Sequence, residues 1–262
     1  MKLEILGSGT SHGVPVIGCD CKVCSSSDPK DNRMRASVLI TGNENETVLI
    51  DCGPEFRLQA LRAKIKKLDA VLITHSHADH IHGLDDVRIF CFKNDIDIYS
   101  NKDTLKDIKN RFSYVFHKTQ IGGGKPHFSL HVAKDNVKIG TMEFTPVPLL
   151  HGKLNDTGWR IGKIAYLTDC NKIPQKSYSL LKDLDTLIID GLRDSPHSTH
   201  FSFKEALEEV AKIQPKKAFF THINHSNSHE EIIEILDNYR KDMPLLSKIE
   251  VLPAYDGQII HF

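Results

Sequence analysis

Residues 74–83 read THSHADHIHG and follow directly on the apolar run AVLI at 70–73. His75, His77, Asp79 and His80 fall within six positions there, which leaves little else in the turn to pack. In extended chain alternate side chains share a face, so His75 and His77 can hold one ion together. Where the chain then turns into a helix, Asp79 and His80 are free to face a second ion beside the first. Imidazole and carboxylate are borderline-to-hard donors suited to zinc, manganese or iron.

Later runs repeat one arrangement. EFTPVPLL ends at His151, KIAYLT at Asp169, TLIID just before a loop holding His197 and His200, and KAFFT at His222. Each apolar strand thus delivers a ligand-type residue at or just beyond its C-terminal end. Together with the turn they supply His75, His77, Asp79, His80, His151, Asp169 and His222, enough for a pair of ions with positions left open. Two ions about 3.5–4 Å apart can share a water and lower its pKa toward about 7, giving a bridging hydroxide at neutral pH. Asp169 is the candidate bridging carboxylate.

Short β-branched runs alternate with amphipathic segments elsewhere. LEIL (3–6), SVLI (37–40), TVLID (47–51) and AVLIT (70–74) read as strands. EFRLQALRAKIKKL reads as a helix with Leu58, Leu61, Ile65 and Leu68 on one inward face. FKEALEEVAKI (203–213) and HEEIIEILDNYRK (229–241) carry stripes that would cover a sheet. No repeat, low-complexity tract or linker divides the 262 residues, so one domain spanning 1–262 is expected. RFSYVFHKTQIGGGKPHF (111–128) mixes aromatics with a triple glycine and reads as a surface loop or a flap beside a pocket.

Lysine plus arginine (34) equal aspartate plus glutamate (34), so no strong field favours a nucleic-acid partner. No apolar run reaches the roughly 18 residues that cross a bilayer. The opening MKLEILGSGT lacks an apolar signal core, and six cysteines are ordinary for a reducing compartment; a cytoplasmic location is expected. A homodimer is the commonest assembly of such a chain.

In GCDCKVC, Cys19, Cys21 and Cys24 stand together without a fourth cysteine nearby. Soft thiolates at this spacing suit a closed, structural zinc site, with a redox triad or simple packing as the other readings. His225, three residues past His222 in THINH, is the candidate fourth ligand. Cys52, Cys91 and Cys170 read as small buried hydrophobes.

These motifs resemble the metallo-β-lactamase superfamily, whose H-x-H-x-D-H signature stands here as His75-Ser76-His77-Ala78-Asp79-His80. The resemblance implies an α/β fold, a four-layer αβ/βα sandwich with ions at one edge of its two sheets. It also implies that Asp51, in LIDCGP, stands behind the ligands and orients them without coordinating. With the cysteine cluster, GSGTSHGVP and GLRDSPHSTHFS (191–202), the chain is similar to the PhnP-type phosphodiesterases, which act on a cyclic ribose phosphate and carry a three-cysteine, one-histidine zinc. That similarity implies two catalytic ions (zinc or manganese), one structural zinc and a small phosphodiester substrate. His200 matches the family's non-ligand catalytic histidine and is the expected general acid, with His197 a competitor; Asp79 is counted beside His200 among the catalytic residues. Arg193 is expected in a surface salt bridge or on a phosphate. The rival readings are a tRNA 3′-processing type of endonuclease and a non-catalytic, zinc-stabilised binding protein of the same fold.

Overall fold

The apolar runs become two sheets that face each other. The computed structural model describes residues 1–91, 94–118 and 124–262. The strands are β1 (Lys2–Gly7), β2 (Ser37–Thr41), β3 (Thr47–Ile50), β4 (Ala70–Leu72), β5 (Ile96–Ser100), β6 (Phe128–Val132), β7 (Val137–Ile139), β8 (Met142–His151), β9 (Leu154–Ile161), β10 (Ile164–Leu167), β11 (Thr186–Asp190), β12 (Lys217–Thr221), β13 (Glu250–Pro253) and β14 (Ile259–His261). Among the described residues they form one sheet in the order β14-β1-β2-β3-β4-β5-β6 and another in the order β13-β12-β11-β10-β9-β8-β7. β3 to β6 pair in parallel, as do β10 to β13. Parallel pairing aligns the C-terminal ends of successive strands, the side of an α/β sheet where ligand sites gather.

Between the sheets, Leu3, Ile5, Val38, Val48 and Ile50 meet Phe144, Trp159, Ile164, Tyr166 and Ile188, each buried. The helices are α1 (Phe56–Arg62), α2 (Ala78–Ile81), α3 (Lys102–Arg111), α4 (Ser113–Phe116), α5 (Phe203–Ile213) and α6 (His229–Lys241). Phe56, Ile81, Leu105 and Ile108 cover the outer face of the first sheet. Phe203, Leu207, Val210, Ile232 and Leu236 cover that of the second. Burying each of these side chains contributes about 1.5–3 kcal/mol. The layering is the αβ/βα sandwich that the sequence motifs imply.

Helices α5 and α6 have the bounds their stripes give, because each starts at a capping box, Ser202 with Glu205 and Ser228 with Glu231. Helix α1 departs from expectation. It buries Phe56 and Gln59, while Leu58 and Leu61 are 50% and 61% exposed. The Gln59 side chain donates to the Arg35 carbonyl at 3.0 Å, and Phe56 packs edge-on against Phe90 at 6.5 Å. Those two contacts rotate the leucines outward. Lys64, at φ 54°, then takes the chain out of helix, so Ile65 and Leu68 never join the stripe. Within 111–128, α3 ends at Arg111 and α4 follows at once, so the segment opens as helix; its residues 119–123 lie outside the described residues.

Candidate metal centre

Three turns at the strand ends aim the side chains. Asp51 after β3, Asp169 after β10 and His222 after β12 have φ of 64°, 49° and 59°. A left-handed residue swings the chain sharply off its strand, and at a histidine that conformation is maintained only by surrounding structure. Gly53 lets the loop after Asp51 lie against α2: a Cβ there would stand 2.3 Å from the Asp79 carbonyl oxygen. The Cys52 amide donates to the His80 carbonyl at 2.7 Å, fixing that contact. From the other side, Arg111 donates to the Ser76 carbonyl at 2.6 Å and the Ser76 hydroxyl to Asp107 at 2.6 Å.

The result gathers all seven residues into two overlapping groups. His75, His77, His151 and Asp169 have ligand atoms within 4.8 Å of one another, as do Asp79, His80, Asp169 and His222. All are buried except His77, which is exposed. Asp169 belongs to both: its Oδ2 lies 3.6 Å from His75 Nε2, and its Oδ1 lies 3.3 Å from His80 Nε2 and 2.8 Å from His222 Nε2. Asp79 Oδ2 is 3.2 Å from His80 Nε2 and 3.6 Å from His222 Nε2.

These groups fit divalent ions. The buried Nε2 atoms of His75, His80 and His222 have no hydrogen-bond partner of acceptable geometry. An ion bonded at about 2.0–2.1 Å to two ligands in a tetrahedral shell keeps them roughly 3.4 Å apart, close to most of these separations. Buried polar atoms without partners cost stability unless something else binds them.

Behind two of the imidazoles stands an acceptor that frees the other nitrogen to face inward. His80 Nδ1 lies 2.7 Å from Asp51 Oδ2, and His151 Nδ1 lies 2.8 Å from the Thr199 carbonyl oxygen. Burial lowers His75 well below the usual imidazole value and lowers His151 to about 4. Burial acts the same way on His80 and His222, but the carboxylates outweigh it: Asp169, Asp79 and Asp51 raise His80 well above the usual value, and Asp169 above all raises His222 to about 10. Burial works against the charge of Asp169 and Asp79, yet His222 and His80 hold Asp169 well below the carboxylate range, and His80 does the same for Asp79.

His200 sits beside this centre. Its Nδ1 is 2.7 Å from Asp190 Oδ2, and its ring stacks on His222 at 4.7 Å and 12°. Asp190 is buried, and burial raises its carboxyl. Sequence reasoning missed it; the signal was an acid closing the otherwise apolar strand TLIID. Asp190, His200, Asp169 and His222 also fall within 4.8 Å of one another, but the Asp190 contact commits one of the two His200 nitrogens. His197 is exposed, 5.0 Å from the His200 ring, and among the described residues no carboxylate stands behind it. Arg193 makes no salt bridge among the described residues; its guanidinium donates to the Ser195 and Pro196 carbonyls of its own loop at 3.2 and 3.1 Å. A cavity of about 260 Å³ lined by Thr10, Ser11, Arg193, His197 and Asn224 opens onto His200. A cavity of about 530 Å³ beside Arg33, Glu55 and Asp256 includes none of these metal-type residues.

A separate cluster joins Cys19, Cys21, Cys24 and His225. The three sulfurs lie 3.5, 3.5 and 3.4 Å from His225 Nδ1. A tetrahedral zinc with bonds of about 2.3 Å to sulfur and 2.0–2.1 Å to nitrogen sets that edge at roughly 3.6 Å. The Cys24 amide, with help from His225, lowers the Cys21 thiol to about 6, whereas burial raises Cys24 to about 11. Buried Arg33 clamps the loop beneath, donating to the Asn224 carbonyl at 2.7 Å and to the Asn227 carbonyl at 3.2 Å.

Known proteins share this arrangement to different depths. A family model described as a beta-lactamase superfamily domain matches residues 46–223. A crystal structure described as a new diphosphatase from the PhnP family is 40% identical, covers 100% of this chain and 97% of its own, and superposes with a TM-score of 0.86. A Porphyromonas gingivalis protein named octanoyltransferase is 39% identical over 240 residues, 90% of this chain and 49% of that protein, so this chain spans about half the relative's length. Zinc-bound PqqB from Methylobacterium extorquens is 19% identical with a TM-score of 0.76 over 100% of both chains, a likeness of fold alone. Matched over most of its length by the family model and over all of it by the PhnP-family structure, the chain belongs to the metallo-β-lactamase superfamily as a PhnP-like member.

Proposed function

We propose that this hydrolase of the superfamily uses two divalent ions to cleave phosphodiester bonds in a small substrate. The observation that carries the reading is the division of Asp169, with one oxygen toward His75 and the other toward His80 and His222. His75, His77, His151 and Asp169 would hold one ion, and Asp79, His80, Asp169 and His222 the other; Cys19, Cys21, Cys24 and His225 would hold a structural zinc. Bound there, zinc or manganese supplies the charge that offsets the phosphoryl oxygens and a water acidic enough to attack at neutral pH.

The chain's own residues do the rest. Asp190 accepts the Nδ1 proton of His200, which leaves Nε2 to carry the proton a departing alkoxide needs. The polar lining of the adjoining cavity suits a hydroxylated leaving group, and its modest volume suits a small one. The similar PhnP-family structure is described as a diphosphatase. A diphosphate and a phosphodiester both present phosphorus bearing bridging oxygens, so the resemblance supports attack at such a centre. Equal numbers of acidic and basic side chains support a small molecule over a polynucleotide. We place the activity in one domain and in the cytoplasm; among the described residues no helix is long and apolar enough to cross a membrane.

The test is a panel of cyclic diesters, linear diesters, diphosphates, a phosphomonoester and a thioester with manganese or zinc. Diester turnover well above monoester and thioester turnover is expected. Hydrolysis of none, with only the cysteine site metallated, would favour the binding-protein reading.

A further inference from the structure

Asp51 touches more of the centre than the histidine it faces. Besides His80 Nδ1 at 2.7 Å, its carboxylate accepts the Thr74 amide at 2.9 Å and the Thr74 hydroxyl at 2.9 Å to Oδ2 and 3.1 Å to Oδ1. The same hydroxyl oxygen lies 3.1 Å from His75 Nδ1. Thr74, His75, His80 and Asp51 are all 0% exposed, so bulk solvent does not compete with these partners. The Thr74 carbonyl accepts the Thr157 amide of β9 at 3.1 Å, which fixes the residue from the opposite sheet.

A hydroxyl has one proton to give. Asp51 already meets an N–H donor on each oxygen, the Thr74 amide at Oδ1 and His80 Nδ1 at Oδ2, so the Thr74 proton goes to Asp51, and the hydroxyl oxygen's lone pair is left to accept the Nδ1 proton of His75. That direction puts the bare nitrogen of His75 at Nε2, the atom nearest Asp169. His80 is set the same way by direct contact. One buried carboxylate therefore stands behind an imidazole of each half-site, while the two oxygens of Asp169 face those same imidazoles from the front.

We infer that Thr74 is a positioning residue that couples the two half-sites, its hydroxyl extending the hold of Asp51 from His80 to His75. Orienting partners behind metal-ligating histidines are worth about 10–100-fold in affinity when removed. Valine has the shape of threonine without the hydroxyl, so Thr74→Val should weaken one half-site selectively, and Thr74→Ser should restore it.

This inference rests on the two-ion reading, and the experiment separates the two. Metal-free wild type, Thr74→Val and Thr74→Ser are titrated with Mn²⁺, free ion being read by electron paramagnetic resonance. His151→Ala and His222→Ala assign the steps, since each touches one half-site. The expected result is a loss of about 10–100-fold at the His75 half-site in Thr74→Val, with the other within about threefold and Thr74→Ser near wild type. Wild-type affinity at both half-sites in Thr74→Val, equal weakening of both, or a serine variant as weak as valine overturns the coupling. A wild type that takes up no pair of ions overturns the two-ion reading instead. If Thr74→Val does not fold, long-range proton–nitrogen correlation spectra of metal-free wild type decide: a proton on His75 Nδ1 is expected, and a proton on Nε2 alone overturns the inference.

Discussion

A general acid works only if its proton sits on the nitrogen that faces the leaving group, and for His200 in the proposed mechanism Asp190 would decide this. The 2.7 Å contact to Nδ1 orients the ring while His222 stacks beneath it. Removing the acid should therefore matter in proportion to leaving-group basicity. His200→Ala should keep both ions and lose about 10²–10⁴-fold on alkyl esters, yet far less on nitrophenyl esters. Equal losses on both would contradict the role. Asp190→Asn should show the same leaving-group dependence at smaller amplitude. At this scale the sequence is legible where candidate ligands lie close together: the 75–80 turn names four of the seven that the fold gathers. Thr74 is not legible, because it acts through partners that only the fold brings near, whereas Asp190, an acid closing an apolar strand, carried a signal that went unread. The left-handed turns at Asp169 and His222 are equally hidden, since no glycine marks them.

Element bounds follow local chemistry where caps are present. Helices α5 and α6 begin at serine caps and could be placed to the residue. Helix α1 has no side-chain cap, and four apolar residues at helical spacing mislead because a glutamine wins the inward face. The consequence is measurable by denaturant unfolding. Leu61→Gln should change stability by no more than about 0.5 kcal/mol, as an exposed substitution does. Phe56→Ala should cost about 3–5 kcal/mol. A large loss from Leu61→Gln would return that leucine to the core. The strand ends that deliver His151, Asp169 and His222 were readable for a different reason: each is a polar residue closing an apolar run.

Across the whole molecule the two sheets are tied at the end of the β2–β3 turn as well as at the metal edge. Glu46 accepts the Thr141 hydroxyl and, at 2.7 Å, the Thr141 amide from the β7–β8 turn. Those bonds, the hydroxyl's first, hold its carboxyl at about 2, against an ordinary 4.5. A depressed carboxylate contributes stability above its unfolded pKa and loses it as pH falls through the folded one. The stability gap between wild type and Glu46→Gln, read from urea midpoints, should thus be full above about pH 4.5 and shrink toward pH 2. A gap independent of pH would contradict the tie. The four-layer architecture was reached through the resemblance that the H-x-H-x-D-H motif carries, whereas this long-range bond joins turns 95 residues apart that carry no local signature. The central claim is that Asp169 serves two ions at once. Metal counted by emission spectroscopy after reconstitution tests it most directly: about three ions per chain in the wild type and about one in Asp169→Ala, the cysteine-held zinc, is the predicted result. Retention of two or more ions by Asp169→Ala, or a wild type that binds only one, would contradict it.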